Sequence, residues 1–310
     1  MIEVIGNGGI VVRMIKDSIS SSGIRLRTFE LEYQRMFHSE TMTHRMLSKN
    51  SSSTRAIPVA RAIQIVEEKT AKPIHWGSNN PGMQSNTELT GAQKEAAEAT
   101  WTAMRDSVIS FVKILSDKDG INGHKQWAGR ALETFSFIKV VLTGTELVNL
   151  WHLRDHKDAQ PEFRELAKLM QQVSNMSTPT LLHPGEWHLP YVDLIDGKYF
   201  VGSEQVSLEV ARKVSASCAA QCSYRKLDDS IEKAEKVFDM LHVGDDSGQP
   251  AHASPLEHQA TPMDDYCIPF SPDTWQPGVT HVRKDGSLWS GNLRGWVQFR
   301  QLIPNEAVWN

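Results

Sequence analysis

The N-terminal segment constrains the fold more than any other part of the chain. In IEVIGNGGIVVRMI and then GIRLRTFELEYQRMF, apolar and polar side chains alternate on either side of glycine-rich breaks. A period of two suits a pleated strand with one buried face and cannot give the stripe of an amphipathic helix. A sheet is therefore expected to begin the fold. Gly6, Gly8 and Gly9 follow a strand-like segment, but the third glycine of a G-x-G-x-x-G dinucleotide loop is missing, so a tight hairpin turn is expected there.

The pattern then changes to helical spacing. Over residues 89–115, Trp101, Met104, Val108, Phe111, Val112 and Leu115 recur on one face, with Gly120 as a stop. Residues 125–139, 146–153 and 161–173 read as further helices, so the middle of the chain is expected to be helix-rich and strand-poor. Pro179, Pro184 and Pro190 break this pattern. Beyond them YVDLIDGKYFVG reads as a hairpin, residues 207–220 and 229–241 as helices, and the Gly-, Asp- and Ser-rich residues 243–251 as an exposed loop. The last forty residues, rich in Trp, Pro and Gly, show no clear period. The fold class expected from these elements is α+β.

Charge decides what kind of partner to look for. With 310 residues and a formal net charge of -4, the chain carries no global excess of cations, so any phosphate site must be local and direct nucleic-acid binding is not expected. No apolar run approaches the roughly 20 residues that cross a bilayer, and the start lacks a basic region followed by an apolar core, which makes a cytoplasmic location the expectation. Cys218, Cys222 and Cys267 are too few for a disulfide framework, and the first two lack a matching second pair of metal ligands. They are expected to be buried thiols, and no metal is expected.

Two polar clusters stand out. THRMLSKNSSSTR, residues 43–55, places His44, Arg45, Lys49 and Arg55 among hydroxyls, and guanidinium forks with hydroxyl donors are what an anionic phosphate needs. NLWHLRDHKDAQPEFR, residues 149–164, sets Asn149 and Arg154 near one another by helical spacing. His152 and His156 are four apart, a spacing for two metal ligands on one helical face, but a third ligand is not evident.

These clusters carry a family resemblance. THRMLSKNSSSTR resembles the R-H-R-x-x-S-x-N-x-x-S-x-R signature of the flavin-dependent thymidylate synthases, and LR followed by AQPEFR resembles their L-R-x-x-x-x-A-Q-x-E-I-R helix. HASPLEH, residues 252–258, is similar to the family's H-x-T-P-F-E-H segment, and AAQCSY, ending at Tyr224, to its A-R-V-S-Y segment. In the family those last two segments precede the signature, whereas here they follow it, which looks like a circular permutation. The resemblance implies a thymidylate synthase complementing protein-like fold, with helices packed on a mainly antiparallel sheet. It also implies one domain over residues 1–310: a signature and helical part, 1–185, and a permuted segment with a Trp-rich tail, 186–310.

The resemblance also implies roles. His44, Arg45, Asn149, Ser223 and His258 fall on positions that hold FAD. Ser53 and Arg55 match the pair that grips the nucleotide phosphate, and Arg154 matches the arginine on the pyrimidine, with Arg154 and Ser53 the expected catalytic residues. Arg130, in AGRALETF, resembles a further substrate-binding arginine. The activity implied is transfer of a one-carbon unit from methylenetetrahydrofolate to C5 of deoxyuridine monophosphate, with NADPH as reductant, in a homotetramer. Thr43 stands where the signature has its first arginine, Ser51 where it has glutamate, Thr143 and Thr145 where asparagine and arginine are usual, and Asp158 where histidine is common. Those departures keep two other activities open: a hydroxymethylase or methylase of dUMP or dCMP for modified DNA, and a nucleotide-binding homologue without catalysis.

Overall fold

The computed structural model describes residues 1–223, 227–245, 248–264 and 274–308, with the side chain of Ser223 outside the description. Tyr224 and Cys267 therefore lie outside the described residues.

The alternating N-terminus forms the expected sheet. Strands β1 (Ile2–Ile5), β2 (Val11–Ser20) and β3 (Arg25–Gln34) run antiparallel. The β1–β2 connection is a turn at Asn7–Gly9 in which Gly8 has φ 63°, a left-handed conformation that glycine adopts without strain. A short helix, α1 (His38–Met42), leads to the edge strand β4 (Ser48–Ser51). Two helices, α2 (Val59–Glu68) and α3 (Gly91–Ser116), follow, and pack on each other through Ile63, Val66, Ile109 and Val112. The helix expected over residues 89–115 is α3, but only part of its apolar stripe is used: Met104 and Phe111 are 49% and 65% exposed.

Residues 125–139 do not make one helix. A single turn, α4 (Lys125–Ala128), passes into a 3-10 helix at Gly129–Phe135, and strand β5 (Phe137–Gly144) begins within the range read as helical. β5 lies between β3 and β4 and gives the sheet order β1-β2-β3-β5-β4. A strand covered on both faces has no polar side to alternate with, so FIKVVLTG does not show the period of two.

Helices α5 (Val148–Arg154) and α6 (Pro161–Met176) come next. Phe163, Leu166, Met170 and Val173 of α6 cover one face of the sheet, against Val12, Met14, Phe29, Leu31, Val140 and Leu142. His152 and His156 do not share a helical face, because α5 ends at Arg154. Strand β6 (Thr180–Leu182) pairs parallel with the second half of β2.

The C-terminal part covers the other face. Hairpin strands β7 (Asp193–Ile195) and β8 (Lys198–Val201) occur where YVDLIDGKYFVG was read, joined by β9 (Glu204–Val206). Helices α7 (Leu208–Ala220) and α8 (Ile231–Leu241) follow, each started by a serine side chain, Ser207 and Ser230, that accepts a backbone N–H of the first turn. A second core joins Trp187, Leu189, Val214 and Leu256. Short strands β10 (Ala260–Pro262), β11 (His281–Val282), β12 (Leu288–Ser290), β13 (Leu293–Arg294) and β14 (Trp296–Gln298) close the fold, with Trp289 and Trp296 buried. The molecule thus mixes helices with antiparallel sheets, as expected. Among the described residues no helix is long and apolar enough to cross a membrane.

Candidate functional site

Strand β4 organises the polar residues of the signature, with different groups at its two ends and on its two sides. The sequence folds this way because Ser48, Lys49, Asn50 and Ser51 pair with Thr143, Leu142, Val141 and Val140 of β5, and the flanking residues turn away at either end.

Before β4, His44 and Arg154 meet. The Arg154 Nε–H donates to His44 Nε2 at 2.8 Å, and its Nη2 donates to the Thr43 hydroxyl at 3.2 Å. Beneath them lies the fully buried Phe163: the Arg154 guanidinium sits 4.7 Å from its ring centre, and the His44 ring meets its edge at 5.6 Å. Burial, then the Arg154 charge, then Lys49 hold the His44 imidazole down to a pKa of about 4, so at neutral pH it accepts from Arg154 as a neutral ring. Lys49 donates to the His44 carbonyl, and burial lowers its ammonium to about 8 against the opposing pull of Glu257. Arg154 spends two of its five N–H groups on the protein, which leaves donors for a ligand. Arg45 and Asn149 are exposed, Arg45 next to His44 and Asn149 on α5.

Beyond β4, a second group forms. Arg35 Nη2 donates to the Ser52 carbonyl at 2.9 Å, and the Thr54 hydroxyl donates to Glu133 at 2.8 Å. Glu133 also receives Arg130 at 3.6 Å and Arg35 at 3.9 Å. Ser53 is half-buried between them and Arg55 is exposed on the 3-10 turn Thr54–Ala56. Arg35, Arg55 and Arg130 together outnumber Glu133, which makes a locally cationic rim. It borders a cavity of about 520 Å³ lined by Lys139, Cys222 and the ion pairs Lys69–Glu32 and Arg61–Glu68, within the range of small-molecule sites. A smaller cavity of about 260 Å³, lined by Arg13, Glu30, Tyr191 and Cys218, shares Lys139 and Cys222 with it. A hollow of about 630 Å³ between α2 and α3 holds none of the signature residues.

The third group lies on the sheet face away from α6. His258 is fully buried; its Nδ1 bonds to Thr143 Oγ1 at 2.8 Å, and its Nε2 has no partner among the described residues. Burial holds its pKa down to about 3. HASPLEH and the described part of AAQCSY both pack against the signature strand: the 3-10 turn Ser254–Glu257 lies against β4, and the Cys222 sulfur lies 3.3 Å from the Asn50 carbonyl. Burial pushes the Cys218 and Cys222 thiols up to about 12, which makes both poor nucleophiles at neutral pH.

The structure therefore brings His44 together with Arg154, and Ser53 and Arg55 together with Arg130. Those two sets stand at opposite ends of β4, and His258 stands across the sheet. Sequence reasoning missed Arg35, Glu133, Phe163 and His188. Phe163 sits inside the AQPEFR match and could have been flagged there. Arg35 and Glu133 carry no local signal, because they meet the loop only through the sheet.

Residues 26–180 match the model of the family described as thymidylate synthase complementing protein. The span contains both signature segments, THRMLSKNSSSTR and LRDHKDAQPEFR. No curated protein matches the chain. Among solved structures, a UMP/dUMP methylase PolB from Streptomyces cacaoi bound with 5-Br UMP aligns at 14% identity and a TM-score of 0.42, covering 54% of this chain and 89% of that one. With half of its length matched, signature segments included, the chain belongs to the thymidylate synthase complementing protein family, the flavin-dependent thymidylate synthases.

Proposed function

We propose that this protein transfers a one-carbon unit from methylenetetrahydrofolate to C5 of deoxyuridine monophosphate, using FAD with NADPH as reductant. The observation that carries the reading is the family match over a span that holds both the phosphate-type loop and the Arg154 helix. Ser53 and Arg55, with Arg130 and the newly placed Arg35, form the cationic rim suited to the nucleotide phosphate. Arg154, held flat on Phe163 and by His44, keeps N–H groups for a pyrimidine oxygen and stabilises negative charge that develops on the activated base. Ser53 is assigned the second catalytic role, at the nucleotide, on the opposite end of β4.

The donors proposed for FAD fit an anionic, carbonyl-rich cofactor: Arg45 offers a guanidinium, Asn149 an amide, and His258 an orphaned buried ring nitrogen. Ser223 is proposed with them. When bound, the flavin supplies the reducing hydride. The protein's own share is to bind, orient and exclude water, and none of its described cysteines has the low pKa of a thiolate nucleophile. Because the Arg154 and Ser53 sets lie at opposite ends of β4, we assign the complete site to a homotetramer in which different copies contribute them. The packing of the Ser254–Glu257 turn and of Cys222 against β4 supports the permuted order, in which the same contacts are made from a new chain start.

One observation favours a second reading. Thr43, at the first signature position, accepts from Arg154 where an arginine would repel it, so the contacts at this end differ from the family's. A hydroxymethylase or methylase of dUMP or dCMP suits such a change. Incubating the protein with FAD, NADPH, methylenetetrahydrofolate and each nucleotide, then weighing the product, separates the readings. A methylated dUMP supports the first, a hydroxymethylated product or one from dCMP supports the second, and a protein that binds nucleotide without turnover is a non-catalytic homologue.

A further inference from the structure

A line of buried polar groups crosses the sheet and ends at His258. Ser18 Oγ lies 2.9 Å from His188 Nδ1, His188 Nε2 lies 2.9 Å from Thr28 Oγ1, Thr28 Oγ1 lies 2.7 Å from Thr143 Oγ1, and Thr143 Oγ1 lies 2.8 Å from His258 Nδ1. Ser18, Thr28, Thr143, His188 and His258 are all at 0% exposure, so water cannot substitute for a missing partner from outside. His188 is further fixed by paired backbone bonds with Ala260, two residues beyond His258, and by the edge of Trp296.

Each hydroxyl has one proton and each neutral imidazole one N–H, so the line runs wholly in one direction or the other, unless one threonine accepts from both neighbours and leaves its own proton, together with a bare His258 Nε2, unpaired. In one, Ser18 donates to His188 Nδ1, His188 Nε2–H to Thr28, Thr28 to Thr143, and Thr143 to His258 Nδ1. His258 then presents Nε2–H. In the other, every bond reverses, and the Ser18 hydroxyl proton loses its acceptor while His258 presents a bare Nε2. The first direction leaves one buried group unpaired and every other arrangement leaves two, so the first is favoured. A doubly protonated ring at either position breaks the line, and burial keeps both imidazoles neutral, with His188 held well below its ordinary pKa.

We infer that Ser18, Thr28, Thr143 and His188 fix the tautomer of His258, so that its buried Nε2–H is a preset donor for an acceptor atom, a carbonyl oxygen or ring nitrogen, of a bound ligand. His188 acts as a positioning residue, since it reaches that ligand only through the two threonines. The inference rests on the proposed function only for the identity of the acceptor.

Nitrogen NMR on protein with ¹⁵N-labelled histidine identifies which ring nitrogen carries the proton. The expected result is Nε2–H at both His188 and His258 in the unaltered protein. In Thr28→Val, which keeps the shape and removes the hydroxyl, His258 populates both tautomers, and Thr28→Ser restores the single one. Opposite tautomers at the two histidines, Nδ1–H at both, or a His258 tautomer unmoved by Thr28→Val overturns the inference, and the first two need no variant. Adding FAD tests the other reading separately: a His258 nitrogen signal that ignores FAD counts against the flavin assignment, whereas the tautomers alone decide the inference.

Discussion

Acid should destabilise this protein through its buried imidazoles, and His258 allows the effect to be worked out. In the unfolded chain a histidine takes up its proton near pH 6.5. In the folded protein burial holds His258 to about 3. Between those values the unfolded state binds more protons than the native one, so stability is present above pH 6.5 and is lost as pH falls toward 3. From pH 7 to 4.5 the loss from this one fully buried group is about 2–3 kcal/mol. His188 acts in the same direction. His44, lowered to about 4, adds a smaller loss because its ring is only half buried and solvent screens it. The assay is urea unfolding of the parent and of His258→Gln at both pH values. The variant, which keeps an amide for Thr143 but cannot titrate, should lose about 2–3 kcal/mol less over the interval. Equal losses would show that His258 does not stay neutral in the native state and refute the reasoning.

Other consequences follow from the same contacts. Arg154→Leu removes the second-largest cause of the His44 depression, so an NMR titration should find His44 above about 4 yet still below its ordinary 6.5, because burial remains. Phe163→Ala should cost about 3–5 kcal/mol in urea unfolding; Phe163→Leu should cost under about 1.5 kcal/mol while removing the ring under Arg154. Arg55→Ala, at an exposed position, should change stability by less than about 0.5 kcal/mol. By calorimetry it should nevertheless weaken dUMP binding about tenfold or more, as loss of a charge-assisted bond does. Gly8→Ala forces a methyl group into Ile74 at a left-handed position and should destabilise by about 1–3 kcal/mol.

How far the sequence could be read depended on whether a signal was local. The β1–β3 hairpins were legible because apolar and polar residues alternate along the strands and glycines mark the two turns between them. The helices α7 and α8 were legible because a serine cap precedes an apolar stripe. β5 was not, since burial on both faces erases alternation, and reading Lys139 as helical hid the strand that joins β3 to β4. At the site, His44 and Arg154 each lie in a motif that the sequence singled out, but their hydrogen bond joins residues 110 apart and was not legible along the chain. Arg35 and Glu133 meet Ser52 and Thr54 only because β3 and β5 adjoin, a relation no spacing along the chain encodes. The same is true of Ser18, Thr28 and His188, unremarkable alone and brought to Thr143 by strand register and by the His188–Ala260 bridge.

The central claim, one-carbon transfer to a pyrimidine nucleotide by a flavin-bearing member of this family, is tested most directly by a single reaction. Purified protein with FAD, NADPH and methylenetetrahydrofolate is incubated with dUMP, and the nucleotide is weighed. The account predicts a product carrying an added methyl group at C5, lost in Arg154→Leu. Recovery of unchanged dUMP from protein shown to hold both flavin and nucleotide contradicts it.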